Sequence, residues 1–240
     1  MDLEAERQHL LDQTKQYADP AYEKVIRRSI PSRLNVYGLR VFELRKIVRA
    51  WRRDHEEVGL DDLLAVVEAL WTAESREERM IALELLQQYP RWIRDLTWAH
   101  FDRWRRDLDN WELTDVLGVG VLGLWMLHDP DARVERLWAL LADEDVWSRR
   151  LGLVAAIGMN RARKDLTFPE LTLELVDHVK EERHPMITKA VSWMLRDMVK
   201  RHPDRAATYL EENGTVLAGH VVREVSNKLK TGRKNGNVKK

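Results

Sequence analysis

Breaks in the helical pattern recur along this chain at a nearly constant interval, and that interval constrains the fold more than any other feature. Apolar residues fall at three-to-four-residue spacing in almost every segment, with no convincing alternating strand. Pro20, Pro31, Pro90, Pro130, Pro169, Pro185 and Pro203 each stand where a helix can begin or a turn is due. With the capping residues they set helix starts near Leu60, Arg76, Leu96, Trp111, Ala132, Trp147, Pro169, Pro185, Pro203 and Val216. Taken alternately, the first members of each pair recur after 36, 36, 37 and 34 residues, and the second members after 35, 36 and 38. Such a period marks helix pairs that cannot bury their apolar faces until neighbours stack on them. The tetratricopeptide signature residues are missing, so the units read as HEAT-like. The expected fold is all-α, a curved α-solenoid with a concave surface lined by one helix of each pair.

The 240 residues suffice for one substantial core. The reading is a single repeat domain over 1–230, with 1–58 as capping helices (near Leu3–Gln16, Tyr22–Ser29 and Leu39–Glu57) and 59–230 as the array. The last stretch, NKLKTGRKNGNVKK, reads as a frayed basic end, with 231–240 a flexible tail. The absence of cysteine excludes disulfides, thiolate nucleophiles and cysteine-ligated metals. The polar, acidic start and the lack of any long apolar run point to a soluble, cytoplasmic protein with no membrane partner. Net charge is zero, yet Arg223–Lys240 carries seven Lys/Arg against one Glu, so charge is unevenly distributed and a polyanion partner stays open. The eight histidines include no i,i+4 pair and no H-E-x-x-H, so no metal is expected. GVGVLG at 118–123 matches a dinucleotide fingerprint only in letters. Without a preceding strand its glycines serve close helix packing, and no cofactor is implied.

Three second helices carry unusual faces. On 111–125, Leu113, Val116, Leu117, Val121 and Leu124 form the expected core stripe, with Trp111, Asp115, Gly118 and Leu122 opposite. On 187–200, the stripe is Ile187, Val191, Met194, Leu195 and Met198, facing away from Lys189, Trp193, Arg196 and Lys200. The helix beginning WSRRLGLVAAIG has Leu151, Val154, Ala155 and Gly158 inward, with Arg150, Arg161 and Lys164 on one flank. Indoles beside Arg and Lys are what a groove needs to hold a phosphate backbone and contact bases. Plainer readings exist for each. A tryptophan at helical spacing is usually core, as accepted for Trp51, Trp71, Trp104, Trp125 and Trp138. A basic helix face is usually just solvated. An acid early in a helix favours the helix dipole, with Asp109 or Asn110 as N-cap. Their coincidence on successive repeats favours a shared functional surface.

The succession VYGLRVFELRKIVRAW, NWELTD, VWSRRLGLVAAI and ITKAVSWMLRDMVKRHPD, from Val36 to Asp204, resembles the AlkD-like DNA alkylation repair enzymes, alkylpurine DNA glycosylases built from HEAT-like repeats. The resemblance implies that Asp115 is the catalytic carboxylate, that Trp111 and Trp193 flank the lesion nucleotide, and that Arg150 is the essential arginine near the lesion backbone. It implies a concave DNA-binding face, with Arg149, Lys189, Arg196, Lys200, Arg161 and Lys164 as DNA contacts. Asn110 stands where the family often has a second tryptophan, and Phe42 replaces the proline of its V-R-V-P arm. The N-terminal aromatic contact is either Tyr22 or Tyr37.

The chemistry agrees. An N3- or N7-alkylated purine is cationic, so its glycosidic bond is already weakened and no strong general acid is needed. A carboxylate can stabilise the oxocarbenium-like sugar and direct water to it. At ~4 Å and an effective dielectric of ~20, that attraction is ~4 kcal/mol. The indoles offer cation–π contacts of ~0.5–2 kcal/mol each. No lysine accompanies the Asp115 face, so the expected enzyme is monofunctional, a monomer acting on duplex DNA that contains alkylated purines. The rival is a non-catalytic HEAT-like adaptor binding DNA or protein on its concave face.

Overall fold

The computed structural model describes residues 1–236. These are helical almost throughout. Extended pairing among them is confined to an isolated parallel bridge between Asn35 and Ser75. The chain forms two compact units, the first spanning Met1–His128 and the second beginning at Asp129.

The first unit runs α1 (Leu3–Gln16), α2 (Pro20–Ser29), α3 (Val41–Asp54), α4 (Leu60–Trp71), α5 (Arg76–Gln88), α6 (Pro90–Ile93), α7 (Trp98–Arg105), α8 (Trp111–Leu117), a π-helical segment (Gly118–Leu122) and α9 (Gly123–Met126). Its helix starts are capped locally: Asp2, Asp19, Ser75 and Asn110 side chains accept first-turn backbone N–H groups. Helix α5 packs against α3, α4 and α8. Being enclosed, it buries charged residues as well as apolar ones. Arg76 is only 2% exposed, and Glu77, Glu78 and Glu84 are buried with it.

These buried charges are paired. Arg76 forks onto Glu112 of α8 at 2.5 and 2.6 Å and donates to Glu77 at 3.0 Å. Glu77 also accepts the backbone N–H groups of Tyr37, Gly38 and Leu39 at 3.1–3.2 Å. Gly38 has φ +83°, and a Cβ there would sit 2.2 Å from the Asp19 carbonyl oxygen, so glycine is required for this loop to turn against α2. One guanidinium thus ties the 37–39 loop, α5 and the start of α8 together.

The second unit contains α10 (Pro130–Leu141), α11 (Val146–Ala162), α12 (Pro169–Val179), α13 (Pro185–Met198), α14 (Pro203–Asn213) and α15 (Gly219–Thr231). Helix α11 packs on α10, α12 and α13, and α13 packs in turn on α15. Gly152 permits the closest approach, since a Cβ there would meet Leu141 Cδ1 at 2.5 Å and Leu140 Cβ at 3.1 Å.

The sequence period reappears as hydrogen-bond spacing. Trp71 Nε1 to Asp107, Trp104 Nε1 to Glu68, Arg76 to Glu112, Arg150 to the Met186 carbonyl and Arg161 to Asp197 each join residues 36 apart. Each bond links one repeat to the next, which is how stacked helix pairs satisfy the polar groups they bury.

Four readings are corrected. The inward stripe of α11 is far wider than expected, with every residue from Arg150 to Met159 buried, because neighbours flank the helix on several sides. Trp138 is half-exposed and meets His178 edge-on, unlike the buried Trp51, Trp71, Trp104 and Trp125. Two helices begin later than read, one the first and one the second of its pair, at Trp98 and Gly219. The stretch read as frayed is helical to Thr231, and Lys234 then folds back to within 3.3 Å of Glu224 while its carbonyl accepts from Asn227. The rest of the expected tail, 237–240, lies outside the described residues.

Removing one partner from a buried ion pair leaves the other charge stranded, which typically costs about 3–5 kcal/mol. Glu112→Ala should therefore lower unfolding free energy by about that amount in urea titration, whereas Arg76→Met combined with Glu112→Leu should restore most of it.

Candidate active site

Helix α8 is held at its start by side chains. Asn110 Oδ1 accepts the Leu113 N–H at 3.0 Å, and Thr114 Oγ1 donates to the Asn110 carbonyl at 2.7 Å. Next to this cap, Asp109 accepts from Ser32 Oγ (2.8 Å), Arg33 N (2.7 Å) and Asn110 Nδ2 (2.8 Å). Burial alone would raise the Asp109 carboxyl. The hydrogen bonds from Arg33, Asn110 and Ser32, with the Arg33 charge, outweigh it and hold the group below the usual carboxylate range. Asn110, in the position the resemblance marks as a departure, is therefore a buried cap and linker.

Trp111 opens the helix half-buried. Its Nε1 donates to the Ser29 carbonyl at the end of α2 (3.0 Å), and its ring packs on Ile26, Ile30 and Val36 together with Tyr22. The Arg40 guanidinium lies 4.4 Å from the centroid of the Tyr22 ring. Of the two N-terminal aromatics, Tyr22 shares the Trp111 cluster. Tyr37 lines a separate hollow with Glu4, Arg7 and Glu78. Phe42 is 55% exposed, with the Lys46 ammonium 5.2 Å from its ring.

Asp115 lies one turn beyond Trp111 and is half-exposed, neither sealed in the core nor fully solvated. Immediately after it the helix changes register. The Gly123 N–H donates to the Gly118 carbonyl, five residues back, and Gly118–Leu122 form a π turn. The extra residue rotates everything downstream. This corrects the wheel: Leu122, expected on the Asp115 side, is fully buried, and Leu124, expected in the core, is only half-buried. Val116, also expected in the core, is half-buried but precedes the π turn. Gly118 is buried as well. A Cβ at Gly120 would come within 2.4 Å of the Gln87 side chain of α5, so the glycine run serves close packing within a helix and no dinucleotide.

In the second unit Arg150 is 5% exposed, and its Nη1 donates to the Met186 carbonyl at 2.6 Å. It does not lie on an open flank with Arg161 and Lys164 as the wheel implied, because α11 is enclosed where Arg150 sits. Lys164 lies beyond the end of α11 altogether. Trp193 is half-exposed, with the Arg161 guanidinium 5.2 Å from its ring centroid. Arg161 and Lys200 both bind Asp197 Oδ1, at 2.7 and 2.5 Å. Arg196 turns away to Ser192 Oγ (3.1 Å) and Glu224 (3.6 Å), and burial depresses its pKa. Arg149 donates to the carbonyls of Asp143 and Glu144 and pairs with Glu182 at 3.4 Å. Lys189 and Lys164 are exposed. Of the cations expected to meet a polyanion, Arg149 and Arg196 are thus largely committed inside the fold. The wheel could show their angle but not the partners waiting there.

Sequence reading gives no role to Arg76, Glu77 or Glu112 and names Asp109 only as a possible N-cap. Arg76 and Glu77 stand in the charged run REER and Asp109 in the loop before α8, so nothing local in the sequence marks their partners. No described group of three His, Asp or Glu could hold a metal ion, and no described helix is long and apolar enough to cross a membrane.

Stacked helix pairs carrying a tryptophan–carboxylate turn define an all-α helical-repeat protein. The sequence profile described as DNA alkylation repair enzyme matches residues 10–229, and the chain belongs to that family. The solved structure of a predicted DNA alkylation repair enzyme from Enterococcus faecalis has the same fold, with TM-score 0.72 and 17% identity over 89% of this chain and 97% of that one. The Pseudomonas fluorescens alkylpurine DNA glycosylase AlkC bound to DNA containing an abasic site analog gives TM-score 0.45 and 16% identity, over 92% of this chain and 62% of that one. No curated protein sequence matches the chain.

The depressed Asp109 pKa has a consequence for stability. A carboxyl whose folded pKa lies below its unfolded value of ~3.9 stabilises fully above that value, and the contribution is lost as pH falls through the folded pKa. Asp109→Asn should accordingly flatten the stability–pH curve below about pH 4, read by chemical denaturation across pH 2–7.

Proposed function

We propose that this chain is a monofunctional DNA glycosylase that hydrolyses the N-glycosidic bond of cationic N3- and N7-alkylated purines in duplex DNA. The observation that carries this reading is Asp115, a half-exposed carboxylate one turn from an indole, on a helix whose start is locked by buried charge. Family membership supports it.

In this reading the lesion base is already a good leaving group. As the bond to it breaks, positive charge develops on the sugar, and the Asp115 carboxylate stabilises that charge and directs water to the anomeric carbon. The Trp111 and Trp193 rings offer π faces to the cationic nucleotide, and Tyr22, packed with Trp111, is the N-terminal aromatic. Arg150 acts at the lesion backbone from a fixed position, its guanidinium anchored on the Met186 carbonyl. Lys189, exposed on α13, contributes charge toward phosphates.

Incubation with methylated duplex DNA, followed by chromatography, should yield free 3-methyladenine and 7-methylguanine. Asp115→Asn should reduce release by about a thousandfold, a ~4 kcal/mol effect, while DNA binding is kept. Normal release by that variant would overturn the assignment, and absence of release by the wild type would favour the adaptor. For Lys189→Ala, the log–log dependence of DNA affinity on salt should fall by about one unit of slope, measured by fluorescence anisotropy.

A further inference from the structure

A cavity of about 180 Å³ lies in the second unit, where the C-terminal ends of α11 and α13 meet the start of α12. Its apolar wall is Ile157, Pro169, Met194 and Met198, the last two from the inward stripe of α13. A cavity of ~150 Å³ with apolar walls takes up benzene, so this one has room for a small flat ring system.

The cavity also contains an unused acceptor. The Asp197 side chain is 9% exposed and lines the wall. Its Oδ1 accepts from Arg161 Nε and Nη2 and from Lys200 Nζ. Its Oδ2 accepts no hydrogen bond from any described residue. Several other polar groups of the wall already have partners within the protein. Asn160 Nδ2 donates to the Ala156 carbonyl and Thr172 Oγ1, its Oδ1 accepts the Phe168 N–H, and Thr167 Oγ1 is bonded to His202 Nε2 at 2.9 Å. The oxygen is not sealed from water, and an acceptor left open on the cavity wall can take a donor from a ligand in place of the water it otherwise holds. The two cations on Oδ1 keep the group ionised.

We propose that this cavity is a binding site for a free purine base bearing an exocyclic amino group, the class of product that the proposed reaction releases. The ring would lie against the two methionines, whose flexible, polarizable side chains suit flat aromatic surfaces, and the amino group would donate to Asp197 Oδ2. Arg161 joins this cavity to Trp193, since the same guanidinium that binds Asp197 lies over the Trp193 ring. The assignment of the ligand rests on the glycosylase reading, but the site's existence does not.

The test is direct binding, independent of catalysis. Titration of the whole protein with 3-methyladenine, followed by calorimetry and by the methyl NMR signals of Met194 and Met198, should show saturable binding that shifts both signals. Unsubstituted purine, which lacks the amino group, should bind at least tenfold more weakly. Asp197→Asn, which keeps the side-chain shape, should weaken 3-methyladenine at least tenfold, and Met198→Trp, which fills the space, should abolish binding while thermal unfolding remains cooperative. If Met198→Trp fails to fold, the Asp197→Asn comparison alone decides. Equal affinity for purine and 3-methyladenine, no saturable binding by the wild type, or binding unchanged in Asp197→Asn would each overturn the proposal. Base release from methylated DNA, measured separately, tests the glycosylase reading. A protein that releases base yet binds none sinks only this inference.

Discussion

A guanidinium removed from water must be supplied with carboxylates, and around Arg76 that requirement organises the first unit. Its fork is filled by Glu112, its remaining arm reaches Glu77, and Glu77 in turn collects the three amides of the turn before α3. Such an arrangement contributes little net stability compared with apolar packing, but it tolerates few alternative geometries. The residue fixed most closely is Glu112, and its neighbours on α8 are Trp111 and Asp115. The helix that carries the candidate carboxylate is thus held by charges buried inside the unit.

Much of the fold was legible because its rule is local. Prolines and capping residues mark helix starts to within three residues, and the mid-thirties interval between them is the same interval that the cross-repeat hydrogen bonds span. Helix α13 also reads correctly from its sequence, with all five residues of the expected stripe buried. What escaped has two physical causes. A wheel at constant angle cannot register a π turn, so Leu122 was assigned to the wrong side. Nor can it report what lies across from a face, so Arg150 and Arg196 read as cations on an open face although a carbonyl and a carboxylate await them.

The candidate site was legible in part. The Trp-x-x-x-Asp spacing singles out Trp111 and Asp115, and both are half-exposed side chains on one short helix. That Tyr22 rather than Tyr37 packs with Trp111 was not, because it depends on α2 returning to Trp111, a contact between segments some eighty residues apart. The cavity beside Asp197 was equally hidden. Its methionines count as ordinary core in the sequence, and only the geometry shows the gap between them and the carboxylate's open oxygen.

The long reach of the α2–α8 clasp distinguishes the first unit from the second. In the second unit the side-chain bonds between repeats join residues roughly one repeat apart, whereas Trp111 to Ser29 spans 82 positions and Ser32 to Asp109 spans 77. Closing a loop of that size carries an entropic penalty that a neighbouring-repeat contact avoids. During synthesis, the Ser29 carbonyl is left to water until the ribosome has delivered residue 111. The aromatic side of the candidate site is therefore among the latest parts of its unit to become complete, and the helices made first are finished by a residue made much later.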